Sequence, residues 1–254
     1  MEVERIPCLS DNYVWLLKES SSGKVAVVDP SEFGPVDSVL ESRGLKLDYI
    51  INTHHHFDHT GGNLQLQKKY GCEVVGAKSD RDRIPGIQTA LGDGDTWKFG
   101  SLDVVCYETP GHTSGHVTYY VPEAKSVFPG DTLFLMGCGR VFEGTPEQMH
   151  ASLSKIKALP ADTKVYCAHE YTQANAKFAL VVNPGNQELK ARAAEVAGMR
   201  AKGEATVPGV LGQELATNPF LRWDDAEIKK SVGLSSGASD VETFAAVRRA
   251  KDRF

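Results

Sequence analysis

The stretch INTHHHFDHTGG, residues 51–62, crowds four of the chain's eight histidines and one aspartate into six positions. Imidazole nitrogen and carboxylate oxygen are donors that zinc, iron and manganese accept, so a cluster this dense can build metal sites. His54 and His56 stand two apart after the apolar run LDYII. An extended backbone there aims both rings the same way, as two ligands of one ion. Asp58 and His59 follow at a turn, where adjacent side chains diverge toward a second ion. His55 and Phe57 are expected to face away from the first pair. A histidine-rich surface loop is the ordinary explanation for one histidine, and a poor one for this spacing.

Three further strand-like runs end in a candidate ligand: VVCYETPGH in His112, SVFPGD in Asp131 and KVYCAH in His169. In open α/β sheets ligands gather outside the carboxyl ends of the strands, so these three could converge on the cluster. Each alone is weak, since Gly-Asp is common turn chemistry and a lone histidine is usually a hydrogen-bonded core residue. His116, opening a strand, and His150, inside a helix, receive no metal role on that ground. Seven donors without a thiolate suit zinc, iron or manganese and do not select among them. A carboxylate bridging ions roughly 3.5–4 Å apart is the usual plan of a binuclear hydrolase. Asp131 is the natural bridge.

The elements that must position these residues are legible in outline. Up to about residue 170, short apolar runs alternate with turns: KVAVVDP, LDYIINT, CEVVGA, LDVVCYETPG, HVTYYVP, SVFPGD and KVYCAHE read as strands. GGNLQLQKKYG reads as a helix closed by Gly71, and TPEQMHASLSKIKALP as one opened by Thr145, Pro146 and a capping-box Gln148. Beyond residue 172 the strand pattern stops, and QELKARAAEVAGMRAKG and DAEIKKSVG have helical composition. Ser239 and Glu242 cap a last helix, VETFAAVRRAKDRF. The expectation is an α/β domain over 1–172 and a smaller helical domain over 173–254. The Gly- and Pro-rich loop EATVPGVLGQELATNPFLRW is expected to pack across a surface without an element of its own.

Composition narrows the partners. The 254-residue chain is 41% hydrophobic and 24% charged, as globular chains are. A net charge of −5 with no basic run beyond VRRAKDRF argues against nucleic acid. No basic-then-apolar leader opens the sequence and no segment approaches the roughly 20 apolar residues of a membrane span, so a cytoplasmic protein is expected. Five cysteines, Cys8, Cys72, Cys106, Cys138 and Cys167, have no CxxC spacing, against both a disulfide framework and a thiolate zinc site.

His54, His56, Asp58 and His59 form the HxHxDH pattern, and by it the sequence resembles the metallo-β-lactamase superfamily. Over essentially its full length it is similar to the glyoxalase II, or hydroxyacylglutathione hydrolase, family, in PCLSDNYVWLL, GCGRVFEGTPEQM, HEYT, NPFLR and RRAKD. The resemblance implies an αββα sandwich with a smaller C-terminal helical domain that supplies part of a glutathione site. It implies two divalent ions, zinc first, with iron or manganese as alternatives. His54, His56 and His112 would hold the first, Asp58, His59 and His169 the second, and Asp131 would bridge them. Tyr171, and Arg248 and Lys251 of the RxxKD motif, would contact substrate. Arg140 stands where some members have lysine, and Phe142 where they have tyrosine, which removes one hydroxyl from the glutathione site. Arg248 and Lys251, three apart on a predicted helix, share a face that could meet a glutathione carboxylate.

The implied reaction is hydrolysis of S-D-lactoylglutathione and other S-2-hydroxyacylglutathiones to glutathione and D-lactate, the second step of methylglyoxal detoxification, by a monomer. Metal coordination lowers the pKa of water from about 15.7 toward 7, which supplies a hydroxide to attack the thioester carbonyl; Asp58 would orient it. The departing thiolate, of pKa about 8.5, needs no dedicated acid. The rivals are a mono-iron persulfide dioxygenase-like member of the superfamily, against which the His59 and His169 pair counts, and a non-catalytic glutathione- or metal-binding module.

Overall fold

The structure, a computed structural model, describes all 254 residues. The first sheet consists of β1 (Glu2–Cys8), β2 (Asn12–Lys18), β3 (Val25–Val28), β4 (Tyr49–Ile51), β5 (Glu73–Ala77) and β6 (Thr89–Leu91), paired in that order. The first three are antiparallel; β3 to β6 are parallel. Parallel neighbours need crossovers. These are α1 (Phe33–Ser42) before β4, and α2 (Phe57–Thr60) and α3 (Asn63–Tyr70) before β5. Gly71 ends α3 at φ +66°, as its position predicts.

The second sheet begins with the antiparallel strands β7 (Thr96–Phe99), β8 (Leu102–Glu108), β9 (Val117–Val121) and β10 (Ser126–Phe128). A hairpin of β11 (Leu133–Phe134) and β12 (Gly137–Cys138) and then α4 (Pro146–Lys157) follow. The capping box of Thr145 and Gln148 opens α4. The sheet resumes with β13 (Lys164–Val165) beside β10. Side chains alternate along β3: Val25 and Val27 enter a core with Val36 of α1 and Leu66 of α3, while Ala26 and Val28 enter the larger core between the sheets. That larger core includes Trp15, Tyr119 and Phe128 and continues into Phe178, Phe220 and Phe244.

The remaining elements are α5 (Thr172–Val182), α6 (Gln187–Ala201), β14 (Gly209–Val210), α7 (Leu211–Thr217), α8 (Ala226–Ser231) and α9 (Asp240–Asp252), the last opened by the Ser239 and Glu242 box. The chain departs from two expectations. Strands do not stop at residue 172, because β14 pairs with β13 and extends the second sheet. The Gly- and Pro-rich loop contains both β14 and α7, since the pairing of Gly209 with Val165 and the complete burial of Leu211 anchor it. The sequence reading also passes over α1 and α5. The buried face of α5 includes Thr172 and Asn175 among its apolar residues, which blurs the helical pattern. No helix is long and apolar enough to cross a membrane.

Candidate metal centre

β4 ends at Ile51, ahead of the histidines. The two rings therefore do not share a strand face, as the alternation argument supposes; a loop beyond the strand brings them together. Asp29, just after β3, pins that loop, accepting hydrogen bonds from Thr53 N at 2.8 Å and Thr53 Oγ1 at 2.7 Å. His54 Nε2 lies 3.1 Å from His56 Nδ1, which lies 3.1 Å from Nε2 of His112. Burial and then neighbouring imidazoles push the pKa of His54 well below its ordinary value, and burial with His112 lowers that of His56. These rings are neutral, the protonation state that binds metal. His55 turns away to Asp80 at 3.1 Å, and Phe57 is 78% exposed.

A second group is formed by Asp58 and His59 on α2 with His169 after β13. Asp58 Oδ2 lies 3.4 Å from His59 Nε2 and 3.5 Å from His169 Nε2. Asp131 stands between the groups, with Oδ1 3.5 Å from both His59 Nε2 and His169 Nε2, and Oδ2 3.4 Å from His112 Nε2. Burial opposes charge at these positions, yet the surrounding histidines hold Asp131 well below the usual carboxylate range, and Asp131 and Asp29 raise His59 well above its own. His59 Nε2 and Asp131 Oδ1 are buried and have no hydrogen-bond partner. Each such orphan costs about 1–3 kcal/mol. A cation coordinated by both satisfies both, so the donor set fits a metal.

The far nitrogen of most of these rings is engaged. His59 Nδ1 meets Asp29 Oδ2 at 3.0 Å, His169 Nδ1 meets Asp11 Oδ1 at 2.8 Å, His54 Nδ1 meets Thr53 Oγ1 at 3.0 Å, and His112 Nδ1 donates to Arg140 O at 2.9 Å. Such contacts fix the tautomer and turn the other nitrogen toward an ion. Asn12 Nδ2 donates to Asp58 Oδ2 at 3.0 Å. His116 is fully buried; its Nε2 accepts from Asp131 N at 3.1 Å while Nδ1 faces Thr109 and Thr132. Side chains on Gly130 would collide with Thr53 and His116, which explains the glycine before Asp131. His116 is thus the hydrogen-bonded core histidine expected from the sequence, whereas Asp11, Asn12 and Asp29 are absent from the sequence reading of the site. Asp29 ends an apolar run, as His112, Asp131 and His169 do, so the strand-end rule could have found it. Asp11 and Asn12 carry no comparable signal.

The groups open onto a cleft of about 480 Å³ lined also by Arg140, Phe142, Tyr171, Arg248 and Lys251. Tyr171 stacks on His169 with centroids 4.7 Å apart and planes at 2°. Phe142 is 62% exposed, its ring 5.2 Å from that of His112. Arg248 and Lys251 both reach the cleft from α9, but differ. Arg248 is buried and donates to Cys138 O at 2.9 Å and to Asp252 Oδ1 at 2.8 Å. Lys251 lies over Phe178 at 5.1 Å and donates only to Ala174 O at 3.3 Å, with no carboxylate partner. Burial and then Arg248 lower its pKa to about 8.

Residues 10–169 match the model of the metallo-β-lactamase superfamily, and residues 170–254 that of the hydroxyacylglutathione hydrolase C-terminus. The hydroxyacylglutathione hydrolase of Methylococcus capsulatus is 54% identical over all 254 residues and 99% of its own length; that of Brucella anthropi is 49% identical over the whole chain and 97% of its own. The chain belongs to the hydroxyacylglutathione hydrolase family. Its metallo-β-lactamase fold extends to distant structures: the ETHE1 protein of Myxococcus xanthus superposes with a TM-score of 0.70 at 23% identity, over 98% of this chain and 90% of that one. The His/Asp cluster of this hydroxyacylglutathione hydrolase family member is suited to binding metal ions.

Proposed function

We propose that the chain hydrolyses S-2-hydroxyacylglutathiones, S-D-lactoylglutathione above all, to glutathione and the hydroxy acid, with two divalent ions. The observation that carries this reading is the placement of Asp131, one oxygen toward each histidine group, at the floor of a cleft with cationic walls. His54, His56 and His112 would hold one ion and Asp58, His59 and His169 the other, with Asp131 facing both groups. Zinc suits nitrogen and carboxylate donors, as do iron and manganese. The ions supply Lewis acidity toward the thioester carbonyl and a water acidic enough to react near neutral pH.

The protein's own groups bind and orient. Asn12 fixes the Asp58 carboxylate, which faces the reacting centre and orients the attacking water. Tyr171 and Phe142 flank the thioester, and Lys251 with Arg140 meets glutathione carboxylates, to which each offers a charge-assisted contact. Arg248 holds the wall of that site through Cys138. The metal ligands lie within residues 1–172, while residues 173–254, which also lend β14 to the second sheet, supply part of the glutathione site, in a cytoplasmic monomer; five unpaired cysteines accord with a reducing compartment. A one-iron oxygenase would leave the separately supported Asp58, His59 and His169 group without a use. The test is loss of thioester absorbance with release of thiol from S-D-lactoylglutathione, abolished by a chelator and restored by metal.

A further inference from the structure

Outside the ligands, one charged cluster touches three of the loops that form the site. Arg83, between β5 and β6, donates from Nη1 to both oxygens of Glu143 at 2.9 and 3.0 Å, from Nη2 to Ser114 Oγ at 2.9 Å, and from Nε to Asp80 Oδ1 at 2.9 Å. Asp80 is fully buried, and its Oδ2 faces His55 Nδ1 at 3.1 Å. Glu143 Oε2 also accepts from Ser114 N at 2.7 Å. Gly115 passes so near Asp80 that a side chain there would collide with the carboxylate.

Each partner sits beside a residue of the first histidine group. His55 lies between His54 and His56, Ser114 follows His112 by two residues, and Glu143 adjoins Phe142, whose ring lies against His112. Exposed ion pairs contribute little, but this one is anchored on a carboxylate removed from water and on a forked guanidinium. An ammonium cannot span Asp80, Ser114 and Glu143 in one plane, so lysine does not replace it. The second group has different support, the carboxylates of Asp29 and Asp11.

We propose that Arg83 is a positioning residue for the first ion site alone: its fork sets the spacing of the loops carrying His54, His56, His112 and Phe142. The inference rests on the metal reading of these histidines. Loss of the fork then weakens the ion held by His54, His56 and His112 and spares the one held by Asp58, His59 and His169.

The experiment titrates metal-free wild type, Arg83→Lys, Arg83→Ala and Glu143→Gln with zinc against a competing chelator, with thermal unfolding of each metal-free protein and steady-state kinetics of the loaded forms. Wild type should bind two ions and turn over thioester. Each variant should keep one ion at wild-type affinity, bind the other about 10–100-fold more weakly, and lose kcat with little change in KM. Should Arg83→Ala not fold, the two conservative variants decide. Two ions at wild-type affinity in the variants would overturn the positioning role, as would equal weakening of both ions in step with a lower unfolding temperature. Wild type that binds fewer than two ions removes the metal reading, and the inference falls with it.

Discussion

Asp29 Oδ2 lies 3.0 Å from Nδ1 of His59, holding that nitrogen as the donor and turning Nε2 toward Asp131. The same carboxylate accepts from Thr53, so one residue at the end of β3 fixes both the entry of the histidine loop and a ligand within it. Asp29→Ala should weaken the ion at Asp58, His59 and His169 by about 10–100-fold, since partners of ligands typically contribute that much. It should also cost about 1–3 kcal/mol of stability, because Thr53 N loses its buried acceptor. Chelator competition and denaturant unfolding measure the two effects. Unchanged affinity at both ions contradicts the role.

Asp131 faces both groups, so Asp131→Ala should lose both ions and activity together. Metal analysis of the purified variant checks it. Retention of two tightly held ions would show that the carboxylate does not bridge.

Lys251 loses its proton near pH 8 in the fold, through burial and then Arg248. KM for the thioester should rise as pH passes about 8, without a matching change in kcat. Lys251→Ala should raise KM at pH 7 by about tenfold or more, the worth of a hydrogen bond to a charged group. It should also flatten the pH dependence. The stability effect has the sign of a depressed lysine: the unfolded chain keeps its proton to about 10.5, so the fold gains stability as pH rises from about 8 toward that value. A variant slowed only in kcat contradicts a binding role.

Glu214 on α7 is fully buried, its Oε2 accepting from Met136 N at 2.6 Å and Asn218 Nδ2 at 3.0 Å, its Oε1 unpartnered. Burial raises its pKa to about 7, against the opposing hydrogen bonds from Met136 N and Asn218 and the more remote charge of Arg192. The folded state then binds the extra proton between about 4.5 and 7. This contribution to stability is complete below that window and lost as pH rises through it, on the order of 3 kcal/mol. Denaturant unfolding from pH 4.5 to 8 should show that slope in wild type and lose it in Glu214→Gln. Equal slopes contradict the assignment.

The sequence reading reaches the helix ends at Gly71, Thr145 and Ser239 because caps are local chemistry, satisfied within three or four residues. It reaches Asp131 and His112 because strand ends converge in this class of fold. It misplaces the backbone of His54 and His56, since an apolar run does not say where pairing stops; Ile51 is the last residue paired to β5. It misses Asp11 and Asn12, whose polar contacts join positions far apart in the chain. It misses β14 and α7 because two paired residues and the burial of Leu211 are tertiary facts without local periodicity.

Hydrolysis of the thioester, as proposed, needs two ions in one cleft. Titrating metal-free protein with zinc, while hydrolysis of S-D-lactoylglutathione is followed, measures that requirement. Activity should rise until two equivalents are bound and then stay level. Full activity at one equivalent, or with none, contradicts the requirement.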